Sequence, residues 1–207
     1  MKARVLPAIG ALLALAACST PDSPTSPVPS DPSYGKNQNP NDEIQNDPKV
    51  HVHLARGNAR PHSGGVALLQ YHGGAIMTGA TVEAIFWGPS WNNSSFVGDK
   101  ISGLQTFYGG VSGTKYIATN SEYNGIGGYA GTGAITYGTS RKDLSAPPKG
   151  SPRTSDILAE VCRMIPSPVS NGYYPVYVDT PRGSTRYCAW HSYGTCGSTP
   201  VQFAFFF

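Results

Sequence analysis

Charge is scarce in this 207-residue chain, where Asp, Glu, Lys and Arg together make up 13%. The net charge is +3, and Lys2 and Arg4 lie at the extreme N-terminus, so the remainder is nearly neutral. Lys and Arg form no cluster, and without one there is no electrostatic footprint for nucleic acid. No apolar run reaches the roughly 20 residues that a membrane-spanning helix needs. None of the five histidines precedes a glutamate: they read His51-Val52, His53-Leu54, His62-Ser63, His72-Gly73 and His191-Ser192. The paired His and Glu of a zinc-hydrolase helix are therefore missing. His191, Asp179 and the many serines would supply a Ser-His-Asp set on paper, but no Gly-x-Ser-x-Gly elbow supports it. Gly125-x-Gly127-Gly128 lacks a preceding strand, a following helix and a Walker lysine, which excludes a phosphate loop. No motif implies a metal or a cofactor.

What is present begins at the N-terminus. Lys2 and Arg4 are followed by a short apolar run, Val5 to Ala14, and then by Leu15-Ala16-Ala17-Cys18. This is the layout of a signal peptide, residues 1–17. Leu15 to Cys18 resemble a lipobox, the site at which a diacylglyceryl thioether forms on Cys18 and the chain is cut before it; an ordinary secretory signal with a chance cysteine is the alternative. Ser19 stands where an Asp would resemble an inner-membrane retention signal, so the expected address is the outer membrane, facing the periplasm or the cell surface. Several acyl chains on one cysteine hold firmly, because each buried CH₂ contributes about 0.8 kcal/mol. The expected partner of Cys18 is thus the lipid bilayer.

Residues 18–65 read as the lipidated cysteine and a disordered tether. From Ser19 to Lys49 the chain is rich in Pro, Ser, Asn and Asp without apolar period, so it cannot offset its ordering entropy. A flexible segment of that length reaches about 30–40 Å. His51-x-His53 reads as a solvated strand or tether end, since no Cys or acidic cluster completes a ligand set.

The folded domain is expected over 66–207. Thr81 to Trp87 is a strand pattern, stopped by Gly88-Pro89-Ser90. Val97, Ile101, Leu104 and Tyr108 predict a helix from Ser94 or Ser95 to Gly109-Gly110, with Gly98 and Gly103 as weak points. The glycines of 123–138 predict turns or a hairpin, then a short strand around Ile135 and Tyr137. Ser155 is positioned to cap a second helix whose buried face is Ile157, Leu158, Val161 and Ile165. Tyr174 to Val178 is a strand that Pro175 marks as an edge or an irregular start. Tyr187 to Ser192 and Val201 to Phe207 complete the set. The class is α+β or mixed α/β: one layered domain with a short-strand sheet and two main helices.

The chain stops at Phe205-Phe206-Phe207, on a strand so apolar that it wants cover on both faces. A charged α-carboxylate on such a strand points to a fragment or an early stop; an outer-membrane assembly signature is the alternative.

Several segments resemble the phosphate-induced protein (Exordium) family of plant cell walls and its microbial relatives. They are His72-Gly73-Gly74-Ala75-Ile76-Met77-Thr78, Ala84-Ile85-Phe86-Trp87-Gly88 with Trp91, Phe107-Tyr108 and Tyr116. Leu158 to Cys162, Tyr173 to Tyr177 and Tyr187-Cys188-Ala189-Trp190-His191 follow. The resemblance covers roughly residues 70–207. It implies a secreted protein without a settled enzymatic activity. Relatives carry a further His-Glu segment that this chain lacks, so it resembles a C-terminally truncated member.

With Cys18 acylated, three cysteines remain, and at least one thiol is left over. Cys188 and Cys196 flank a short glycine-containing segment and are the expected disulfide; Cys162 reads as a small buried hydrophobe or the partner of a cysteine not present. His191 is the candidate catalytic side chain, as acid/base or ligand, or else a histidine hydrogen-bonded within an aromatic hairpin; His72 has a similar balance. Trp87, Trp91 and Trp190, with Tyr173, Tyr174, Tyr177 and Tyr193, could stack on the sugar rings of a cell-wall polysaccharide if exposed. Two functions follow: a membrane-anchored binding or structural lipoprotein of the envelope, or a truncated, degenerate zinc-dependent hydrolase.

Overall fold

Thr81 to Trp87 alternates two sets of apolar side chains, and a strand with two apolar faces needs a layer on each side. The structure, a computed structural model, describes residues 51–54 and 76–207, so the signal segment, Cys18, His62 and His72 lie outside the described residues. Eight strands are described: β1 (His51–Leu54), β2 (Ala80–Trp87), β3 (Asn124–Gly125), β4 (Gly128–Tyr129), β5 (Ile135–Asp143), β6 (Gly172–Val178), β7 (Tyr187–Cys196) and β8 (Thr199–Phe206). The helices are α1 (Ser94–Val97), α2 (Lys100–Gly110), α3 (Lys115–Ala118) and α4 (Thr154–Met164). Six strands form one mixed sheet in the order β1-β7-β8-β6-β2-β5, and β3 and β4 form a separate hairpin. Strands β8, β6, β2 and β5 run parallel; β7 is antiparallel to both of its neighbours. The domain is the expected mixed α/β layered type.

The chain leaves β2 for β5 on one side and returns across β2 to β6 on the other. Two right-handed crossovers in opposite directions must place their helices on opposite faces. The core divides accordingly. On one face Ile157, Val161 and Ile165 of the α4 region pack with Ile85, Tyr174, Val176, Trp190, Phe203 and Phe205. On the other, Phe96, Val97, Ile101 and Leu104 cover Ala84, Phe86 and Trp91.

Several expectations need correction. The single helix predicted from Ser94 is split into α1 and α2, because Gly98 takes φ +49, a backbone state that suits glycine and ends the helix. Pro175 is not on an edge: β6 lies between β8 and β2. Its missing N–H falls where the β2–β6 ladder skips from Val82–Tyr173 to Ile85–Val176, so the central position is tolerated. Strand β5 runs past Gly138 to Asp143, with Gly138 absorbed as a bulge between the Val82–Tyr137 and Glu83–Thr139 pairs. Helix α4 starts one residue before Ser155; its N-cap is Arg153, whose backbone N–H donates to the Asp156 carboxylate at 3.1 Å. The stretch 51–54, placed in the tether, pairs as β1 with β7; its alternation is too short to stand alone and becomes a strand only on that edge.

The expected Cys188–Cys196 bridge is also overturned. Both residues lie on β7, eight positions apart. At about 3.3 Å per residue that is about 26 Å, far beyond the roughly 7 Å a disulfide can span. Cys196 bonds instead to Cys162 of α4, with Cα atoms 5.2 Å apart. Cys188 is not a free thiol either, so no leftover thiol is found among the described residues.

Candidate functional site

The connections reverse direction at β2, and the carboxyl ends of β2, β5 and β6 therefore mark the position of the switch-point crevice in which open α/β sheets usually bind ligands. Here it is occupied by the chain's own charges. Asp143, at the end of β5, accepts from the Ser145 hydroxyl at 2.6 Å and the Ser145 N–H at 2.9 Å. Arg163 of α4 bridges Asp143 and Glu160, reaching Glu160 at 2.6 Å. Asp179, just after β6, accepts from the Ser90 N–H at 2.7 Å. Gly88 sits so close that any Cβ there would overlap the Asp179 carboxylate, and its φ is +132. The crevice residues thus brace the loops that follow the strands.

Glu160 is only 3% exposed, and its second carboxylate oxygen meets no partner among the described residues. Burial pushes its pKa up, against the opposing pull of Arg163. Burial also acts on Asp143, but the Ser145 hydrogen bonds and the Arg163 charge outweigh it and hold that carboxyl low. The consequences for stability have opposite signs. With Asp143, the unfolded state binds more protons just below the ordinary value of 3.8, so stability rises with pH there. With Glu160, the folded state binds more protons above the ordinary 4.5, so stability falls as pH rises through that value. Urea midpoints should therefore carry a rising contribution from Asp143 below its ordinary 3.8 and a falling limb from Glu160 above its ordinary 4.5, and Glu160→Gln should flatten the falling limb. An unchanged limb in that variant would refute the assignment.

The three tryptophans singled out above are core residues, which corrects their reading as a binding face. Trp87 donates from Nε1 to the Ser145 hydroxyl at 3.1 Å, and Trp91 to the Tyr177 carbonyl at 3.1 Å. Trp190 stacks on Phe205 at 5.4 Å. They are buried because their strand or turn positions face a helix layer. An aromatic row crosses the sheet from Phe206 to Tyr177 at 4.7 Å, Tyr177 to Phe86 at 5.4 Å and Phe86 to Trp91 at 4.7 Å. Beside it, Tyr108 of α2 meets the Tyr177 hydroxyl at 2.8 Å and packs on Tyr137 and Tyr173. Burial pushes the phenols of Tyr108, Tyr173 and Tyr177 up, so they stay neutral and act as packing. Tyr174 is buried on the α4 face, while Tyr193 is exposed.

His191 lies on the exposed face of β7, away from the crevice. Its ring is 5.6 Å from that of His53 on β1. The strand alternation explains this: Trp190 turns inward, so His191 turns outward. Among the described residues no three His, Cys, Asp or Glu side chains form a cluster able to hold a metal.

At the opposite, amino ends of β2 and β5 lies an open groove of about 220 Å³. Backbone hydrogen bonds tie its walls together: Ile76 N–H to Ile126 O at 3.0 Å, Gly133 N–H to Thr78 O at 2.7 Å and Ala130 N–H to Tyr123 O at 2.9 Å. Ile117, Asn120 and Tyr123 form one wall, and the segment before β2 the other. The sequence did not point to it: the glycines of 123–138 predict turns or a hairpin and a short strand around Ile135 and Tyr137, which β3, β4 and β5 are, but no groove. The available signal was tyrosine recurring in a stretch without apolar period, which a core cannot use.

No family model, curated protein or solved structure matches this chain.

Proposed function

We propose that the chain is an exported lipoprotein, anchored in the outer membrane through acylated Cys18, whose α/β domain acts as a binding module of the cell envelope. The observation that carries this reading is Leu15-Ala16-Ala17-Cys18 behind a short apolar run and ahead of a polar tether. The resemblance to the phosphate-induced protein family supports an exported setting and adds no catalytic step.

Mass spectrometry of the processed product should find the N-terminal peptide beginning at Cys18 and carrying a diacylglyceryl thioether. Cys18→Ser should move the protein from the membrane pellet to the soluble exported fraction, since nearly all the membrane affinity comes from the acyl chains. A Cys18 found unmodified, or joined to another thiol, would overturn the proposal.

A further inference from the structure

We infer that the groove at the amino ends of β2 and β5 is a binding site for a neutral polysaccharide, with Tyr123, which lines it, and Tyr129, the register partner of Asn124 in the adjoining β3–β4 hairpin, as the stacking residues. The inference rests on the binding-module reading and gives it a place and a ligand class.

The first observation is where the exposed apolar surface lies. Among the described residues nine large hydrophobic side chains are exposed; two of them, Met77 and Tyr123, line this groove, and three more, Tyr116, Ile126 and Tyr129, lie in the segments next to its lining residues. Tyr116 is 70% exposed, Tyr129 52% and Tyr123 47%. A patch of that kind marks a contact surface rather than a folding requirement.

The second observation is charge. Among the described residues no charged side chain lines the groove, and its polar side chains, Thr78, Asn120 and Tyr123, are neutral. Such a lining leaves an ionic ligand without a counter-charge and offers hydroxyl and amide groups to a neutral one. A sugar ring presents an apolar C–H face edged by hydroxyls, and tyrosine has the matching shape, an apolar ring with a hydroxyl tip. The groove's 220 Å³ is below the usual range for a whole drug-sized ligand, about 300–1,000 Å³, and fits one ring of a chain that continues across the surface.

The test uses the mature full-length protein in detergent. Calorimetry with cellohexaose, chitohexaose and xylohexaose, and sedimentation with cellulose and chitin, should reveal binding to at least one neutral glycan. Polygalacturonate and alginate, which are anionic, should bind more weakly. Tyr123→Ala with Tyr129→Ala should weaken binding about tenfold or more, the usual scale for removing aromatic anchors. The thermal melt of that variant should match the parent, since both side chains are exposed. Tyr193→Ala, equally exposed at 58% but on β7, should leave affinity unchanged. Binding that survives the double substitution would overturn the groove assignment and leave the binding-module reading standing. No binding to any neutral glycan would overturn the ligand class, while the lipid anchor is decided separately at Cys18.

Discussion

Phe205→Ala should lower the unfolding free energy by about 3–5 kcal/mol, the usual cost of emptying an aromatic core position. Phe205 is fully buried on β8, which has β6 on one side and β7 on the other. In register it stands opposite Val176 and Trp190. Its ring lies 5.4 Å from Trp190 and 4.8 Å from Phe207, and Ile157 and Val161 of α4 close the same core. Helix and sheet are tied together around this position, so the cavity cannot collapse cheaply. A single domain has about 5–15 kcal/mol of stability in all, and the loss would remove a large part of it. Urea denaturation with the slope held constant measures this directly. A loss below about 1 kcal/mol would mean that β8 is not the packed centre described here.

Replacing both Cys162 and Cys196 by Ser should cost about 3–4 kcal/mol, from the loop entropy of a bridge that spans 34 residues. The bond staples α4 to the far end of the β7–β8 hairpin, next to the two-residue turn at Gly197-Ser198. Without it the unfolded chain regains the freedom of the α4–β6–β7 segment, while the folded core is unchanged. The double serine variant isolates this bridge. Peptide mapping without reduction should recover the Cys162 and Cys196 peptides joined. Recovery of Cys188 joined to Cys196, or a double variant as stable as the parent, would contradict the structure.

Much of the fold was legible locally. Thr81 to Trp87 and Val201 to Phe206 are strands because apolar residues fill both faces over a strand's length. Helix α4 follows from Ile157, Val161 and Ile165 at helical spacing with Asp156 in the first turn. The cover that the C-terminal strand seemed to require is present, with Phe203 and Phe205 under α4 and Ala204 buried on the other face. Less was legible at the candidate site. Tryptophan looks like a ligand platform and like a core residue in the same sequence context, and only burial separates the two. Trp87, Trp91 and Trp190 proved to be core, while the exposed rings among the described residues are Phe107, Tyr116, Tyr123, Tyr129 and Tyr193.

By itself the sequence determined the main strands and helices, one layered domain of the α+β or mixed α/β kind and the scarcity of charge, because period and composition act along the chain. Tertiary structure alone decided that Pro175 sits in the middle of the sheet, that residues 51–54 become its edge, that Cys196 reaches Cys162, and where the tyrosine-flanked groove opens. Each of these depends on which strand lies beside which. That order is set by crossover handedness and by how two helix layers share one sheet, and neither leaves a local mark in the residues concerned.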